Sequence, residues 1–519
     1  MRVVLAALAA LLLASPAFGE IIYVPDDPPT SFDLGSYSVG ADTIIFSRQY
    51  YGTTLTPPSA GTEERPIVWI GQGSGVTFAS IVPKSHNRFY NLTSTAGVDF
   101  PKNGKHIMFD GCTIVGSLNM TDADSSSVRN CIIRGAHFTI ARGDLTPSQG
   151  SNADADTLDG CTFTGLNASS GFGMVFGDND STEFSVGTDS CRYFVQRFNT
   201  FNISQSGSAA WTFSKHFQCP NFTSYHNTYN LTSTATGVSS NEGDFGVLFR
   251  DNSYNGLMRG DRIFVNNEGA TISHYALMWT SGMPASNASN HHFTVDSCYV
   301  RVFRGTGLYL QTRLPQLKIA NSVVRSRLGT AAGIFAGFES SAGDPYLHHN
   351  TFMGKQAIAF SEGGVSNNGG KISNNVFWGT STLPCDDWQA VAGSRSNVSS
   401  LSDSNVAYST TGNASRAFCR SECAAPGSGQ WSTVYGNELH SFWANPDFAD
   451  TSWANLNVTP KTRFVTNSSA FTLQYAGASN GTGHSSPLGP ATDAFRYGSD
   501  GYFVQPSDGD RFYVRREDS

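Results

Sequence analysis

The chain has 519 residues, a formal net charge of −8, a charged fraction of 14% and 53 glycines. An acidic balance argues against a nucleic-acid partner, and no apolar run is long enough to cross a bilayer as a helix. Many glycines and few charges describe tight turns and a surface of hydroxyls and amides.

The first 19 residues read as a secretory signal peptide: Arg2 is the positive start, Val3 to Ala14 the apolar run, and Ala17-Phe18-Gly19 the small-residue cleavage site. The rest is expected to be exported, secreted and without a membrane span. Residues 20–105 read as an N-terminal cap and first coils, with strands at Ile21–Val24, Asp42–Phe46 and Arg65–Ile70.

From about 106 to 410 one short phrase recurs. It begins at Cys112, Cys131, Cys161, Asn252, Cys298, Ser322, Asn350 and Asn375, with looser copies at Cys191 and Asn227. A period of roughly 20–50 residues marks a solenoid, and short alternating strands ending in Gly make its units β-coils. The residue two after the anchor is apolar and should face inward. The next varies freely (Val115, Arg134, Thr164, Arg301, Arg325, Trp378) and should face outward. The expected fold is all-β, a right-handed parallel β-helix solenoid in which like residues form ladders about 4.8 Å apart. A solenoid also escapes the size limit of a single core. Residues 411–519 lose the period and read as a C-terminal cap over the open strand edges.

The opening, "ADTIIF", Tyr50-Tyr51-Gly52 and "GTEERPIVWIGQGSGVTF", resembles that of pectate-lyase-like β-helix proteins over Ile21 to Phe78. That resemblance implies the fold and leaves the chemistry open.

A second strand recurs at Gly173–Phe176, Ala210–Phe213, Gly246–Phe249, Tyr275–Met278, Gly307–Leu310, Gly333–Ala336 and Ala357–Phe360. Aligning its copies puts Asp178, Lys215, Arg250 with Asp251, Thr280, Thr312 with Arg313, Glu339 and Glu362 in one polar stripe. Polysaccharide lyases need such a set: a cation on the uronate carboxylate, a base for the proton alpha to it, and an acid for the leaving oxygen. "FSKHFQCPNFTSYHNTYN" followed by "GVLFRDNSYNG" resembles the alginate lyase and chondroitinase B family of β-helix lyases. The likeness implies Lys215 as base and Arg250 as acid. Here Asp251 stands where that family has His, and Ser208, Ala209 and Ala210 stand where it has calcium-binding acids.

Arg301 and Arg325 share an outward position on successive coils, with Arg304, Arg313 and Arg327 nearby. Stacked arginines repel unless an anion intervenes, so an acidic sugar or a carboxylate such as Glu339 suits them, as does plain solvent screening beside loop acids. Trp378 and Met353 are expected on the same stripe, Trp211 and Trp279 on the other, where aromatics suit sugar stacking or loop packing. The expected partner is therefore an acidic polysaccharide. The alternatives are a non-catalytic adhesin and a glycoside hydrolase using Asp251 and Asp244.

Asp178-Asn-Asp180, Glu242-Gly-Asp244 and Asn266-Asn-Glu268 offer oxygens for calcium, but polar turns look the same, so no metal ligand is assigned. Nine cysteines in an exported chain suggest disulfides. Cys112, Cys131, Cys161 and Cys191 read as one ladder, bridged or simply buried, and Cys385 as bridged to Cys419 or Cys423. Twelve Asn-x-Ser/Thr sequons matter only in a eukaryotic host, with Asn230 at an outward position.

Overall fold

The computed structural model describes residues 21–24, 43–47 and most of 50–381, leaving out 74, 102, 121–122, 141–154, 178–190, 218, 239–243, 251–252, 254, 281–291, 311–315, 330, 336–345, 361–370 and 374. It further describes 385–386, 402–403, 405–411, 418–419, 423–424, 442–443, 504–507 and 510–514. The expected signal peptide and nearly all of the expected C-terminal cap lie outside these residues.

The described residues hold no helix and form three long sheets of a parallel β-helix. The first has 15 strands, from Ile21–Val24 to Ser402–Asp403, and the second 15, from Tyr50–Leu55 to Phe442–Trp443. The third has 13, from Val98–Asp99 to Cys423–Ala424. Every pairing in the first two sheets is parallel; the third ends in one antiparallel pair, Cys419 opposite Cys423. Strand Phe442–Trp443 still pairs in parallel with Val406–Ser409, so the coils run past residue 410.

Each coil turns sharply from the first sheet to the second. The turning residue is left-handed: Gly111, Asn130, Gly160, Phe198, His226, Gly260, Ser297, Asn321 and His349 all have φ between 50° and 70°. Glycine, asparagine and, less so, histidine suit that region; Phe198 does not, and is held there by its surroundings. The next residue is the anchor. In Asn199, Asn227, Asn350, Asn375 and Asn405 the side-chain amide does two jobs. Its Oδ1 accepts the N–H of the previous coil's anchor, as Asn350 does for Ser322 (2.9 Å) and Asn375 for Asn350 (2.9 Å). Its Nδ2 donates to a carbonyl of the previous coil, as Asn350 does to Ile319 (2.7 Å). Each such bond contributes about 1 kcal/mol net, while a buried N–H left orphaned costs about 1–3 kcal/mol.

This register confirms part of the sequence reading and corrects part of it. Inward Ile114, Ile133, Phe163, Phe201 and Tyr229 pair coil by coil, with the rings of Phe163, Phe201 and Tyr229 5.0 Å apart at each step. The coil expected to start at Asn252 has its anchor at Asp261, and Asn199 is an anchor that the phrase missed. Cys191 leaves the ladder: it lies at the corner from third sheet to first, where Cys219 donates its N–H to Ser253 on the next coil. Cys112, Cys131, Cys161, Cys219 and Cys298 are buried thiols outside any disulfide. The side chains of Cys385, Cys419 and Cys423 lie outside the described set.

Asp261 is the acid in this amide ladder. Its Oδ1 accepts the Asn227 N–H (2.7 Å) and Nδ2 (3.1 Å), and burial pushes its carboxyl up to about 7. Tyr229 and Cys298 beside it are pushed well up by burial and then by Asp261, so the cluster is built for neutral groups. A carboxyl raised above its unfolded value stabilises fully below about pH 4 and loses that contribution as pH rises to about 7. Asp261→Asn should therefore gain melting temperature relative to the parent as pH goes from 4 to 8. A difference between the two that stays constant across that range would refute this.

Candidate functional site

The outer faces of the three sheets differ in chemistry. On the first, charges alternate from coil to coil: Asp110, Arg129, Asp159 and Arg197 are register partners in sequence. Two coils on, Arg259 faces Asp296. Arg197 lies 2.7 Å from Asp159, and Arg259 lies 3.1 Å from Asp296. This face neutralises itself. The alternation was present in the sequence, at the residue two before the anchor, and was overlooked.

The third sheet carries Lys215 and Arg250. Strand Ser214–Phe217 pairs with Met174–Phe176 on one side and Phe245–Arg250 on the other. Inward positions stack Phe176, His216, Phe249 and Trp279, with successive ring centroids 4.2, 4.6 and 5.9 Å apart. Lys215 is opposite Leu248 and points outward, yet it is only 2% exposed. Its Nζ lies 4.6 Å from the Phe172 ring centroid and 5.4 Å from that of Phe217. Arg250 pairs with Phe217, and its Cζ lies 5.9 Å from the same ring. Thus the two cations sit on adjacent coils around one phenyl ring, at the range of cation–π attraction. The 35-residue gap in numbering is one coil plus two residues. Lys215 lies within the strand rather than at its end, because the strand here is Ser214–Phe217 and not Ala210–Phe213.

Trp211 flanks this pair, meeting Phe172 edge-on at 5.0 Å. Farther along the face Phe245, Leu248 and Met278 pack with Tyr275 and Tyr309, whose rings stack at 4.7 Å. Asp244, just before the Arg250 strand, has its carboxyl pushed up to about 6 by burial. A carboxyl so placed can exchange a proton near neutral pH. The Tyr275 phenol is raised by burial and then by Asp244. The phenyl and phenol groups of this face were missed because each reads locally as core.

Trp279 is not on that face. It is 0% exposed, stacked on Phe249 and edge-on to Phe293 (5.3 Å), so it belongs to the core rather than to a sugar site. Arg313, Asp178, Asp251, Thr312, Glu339 and Glu362 lie outside the described residues. Thr280 is buried. Among the described residues no His, Cys, Asp and Glu cluster could hold a metal ion, and no helix is long and apolar enough to cross a membrane.

The second sheet carries the other expected set, in the expected register. Phe264, Arg301, Arg325, Met353, Trp378 and Tyr408 follow one another as outward partners. The Arg301 Cζ lies 4.9 Å from the Phe264 ring. Burial, and then Arg325, lowers its pKa. Arg325 is 4% exposed and donates from Nη1 to the Tyr299 hydroxyl (3.1 Å). Arg325, Ser326, Arg327, Met353, Trp378 and Thr380 line a groove of about 300 Å³.

No protein-family model matches this chain, and no curated protein matches it.

His216 adjoins Lys215 but faces the other way, sandwiched between Phe176 and Phe249, with its ring pushed down to about 3 by burial. Because the folded value is depressed, its stabilising contribution is complete above about pH 6.5 and is lost as pH falls towards 3. His216→Phe should keep the fold and flatten the acid side of the stability profile between pH 6.5 and 4. Thermal unfolding of both proteins across that range checks it; an unchanged acid slope refutes it.

Proposed function

We propose that this protein is a secreted β-helix that acts on acidic polysaccharide and cleaves it by β-elimination. The observation that carries the reading is the Lys215–Arg250 pair: two cations on adjacent coils around Phe217, flanked by Phe172 and Trp211. In this reading Lys215 removes the proton alpha to the uronate carboxylate. Arg250 steadies the developing negative charge and supplies the proton to the leaving oxygen. The local resemblance to the alginate lyase and chondroitinase B family, carried by the phrases around Lys215 and Arg250, supports the same assignment.

A second reading is a non-catalytic surface protein in which the coils are a rigid rod. The 2% exposure of Lys215 favours it, since a base must meet its substrate. A third reading, a glycoside hydrolase, has Asp244, with its carboxyl at about 6, as acid.

Elimination leaves an unsaturated uronate that absorbs in the ultraviolet, so the mature protein can be assayed directly on alginate, pectate and glycosaminoglycans, with and without calcium. Lys215→Ala and Arg250→Ala should each lower the rate by about 10²–10⁴-fold. New reducing ends without absorbance would make the protein a hydrolase. Silence by both measures on every substrate would leave the rod.

A further inference from the structure

One outward row of the first sheet is complementary to itself when reversed. Coil by coil it runs Tyr90, Asp110, Arg129, Asp159, Arg197, Tyr225. Turned end for end, it sets Asp110 against Arg197, Arg129 against Asp159 and Tyr90 against Tyr225. A two-fold axis along the strand direction, between the coils of Arg129 and Asp159, performs that reversal and brings two copies of the face together. A two-fold interface has to be self-complementary in this way, because the same patch supplies both sides.

The neighbouring rows obey the same axis. Two residues earlier in each strand stand Met108, Ser127, Thr157 and Val195. The axis pairs Met108 with Val195 and Ser127 with Thr157, apolar with apolar and hydroxyl with hydroxyl. At the left-handed corner it sets Phe198 opposite Gly111 and Asn130 opposite Gly160, the larger residue each time against a glycine. Phe198 thereby gains a role: it is 40% exposed, in a backbone conformation that glycine fills on other coils. The internal contacts stay in place, with Arg197 at 2.7 Å from Asp159 and Asp110 accepting from Asn130 at 3.0 Å. Each charge then meets a second opposite charge across the interface.

We propose that this face joins two copies of the chain, first sheet to first sheet, with their coils running in opposite directions. Arg129, Tyr193, Arg197 and Phe198 are exposed, so the face is open to a second copy. Coils about 4.8 Å apart, from Tyr90 to Tyr225, and residues about 3.3 Å apart, from Tyr193 to Phe198, make a face of roughly 500 Å². That is the scale of a reversible association rather than an obligate one. The proposal is independent of what the protein acts on.

Sedimentation velocity of the whole protein from about 1 to 100 µM tests it. The parent should pass from monomer to dimer in that range. Arg197→Asp should weaken the dimer about a hundredfold, since the two-fold axis turns two attractive pairs into repulsive ones. Asp110→Arg, Arg129→Asp, Asp159→Arg and Arg197→Asp made together keep the alternation within each copy and the match between identical copies. That reversed protein should dimerise with itself and not with fluorescently labelled parent, where every charge would meet its like. Thermal unfolding checks that each variant is folded. The proposal is overturned if the parent stays monomeric throughout, or if Arg197→Asp dimerises as the parent does. It is equally overturned if the folded, reversed protein stays monomeric or pairs with the parent as well as with itself.

Discussion

Everything in this molecule hangs on one corner. The chain leaves the first sheet through a single left-handed residue, and the side chain that follows reaches across to its neighbours above and below. Strands of two to six residues could not close a coil by their own ladder bonds. The anchor amide closes it for them, because it satisfies the backbone N–H that the bend exposes and a carbonyl one coil back. The same task is done by different groups; between Cys298 and Ser322 it is a hydroxyl, accepting at 3.1 Å. Between Asn199 and Asp261, and again from Asn350 to Asn405, amide and carboxyl oxygens accept at 2.7–3.0 Å. Around Cys112 and Cys131 a thiol sulfur accepts at 3.3 Å, a weaker bond in a more apolar stretch.

With the corner fixed, every outward position is fixed too, and the faces become platforms whose character is written by one residue per coil. The first cancels its own charge. The third is apolar and aromatic with a lysine set into it, and the second gathers arginine, methionine and tryptophan. A solenoid thus separates stability from recognition: core and corner hold the coil, and outward residues vary without disturbing it.

Much of this was legible in the sequence, because alternation in a strand is absolute once one residue is placed. Setting the anchor at Cys298 was enough to align Arg301, Arg325, Met353 and Trp378 as they stand in the structure. The failures have physical causes. The corner from first sheet to second and the corner from third to first both use a small polar or thiol residue near a left-handed one, so Cys191 looked like a member of the wrong ladder. Ala276 and Leu277 both face the core, and that break in alternation turns Trp279 inward where counting from Tyr275 would send it out. Lys215 was found, but not its burial, because Phe172 comes from the coil before and no local phrase brings it to Lys215.

The alternating charges on the first sheet also constrain how this chain can change its length. From Asp110 to Arg197 the sign flips at every coil, so removing any single coil between them would set Asp against Asp or Arg against Arg. Removing two restores the match. In that stretch the β-helix has a parity: it can be lengthened or shortened over evolutionary time in pairs of coils more easily than by one.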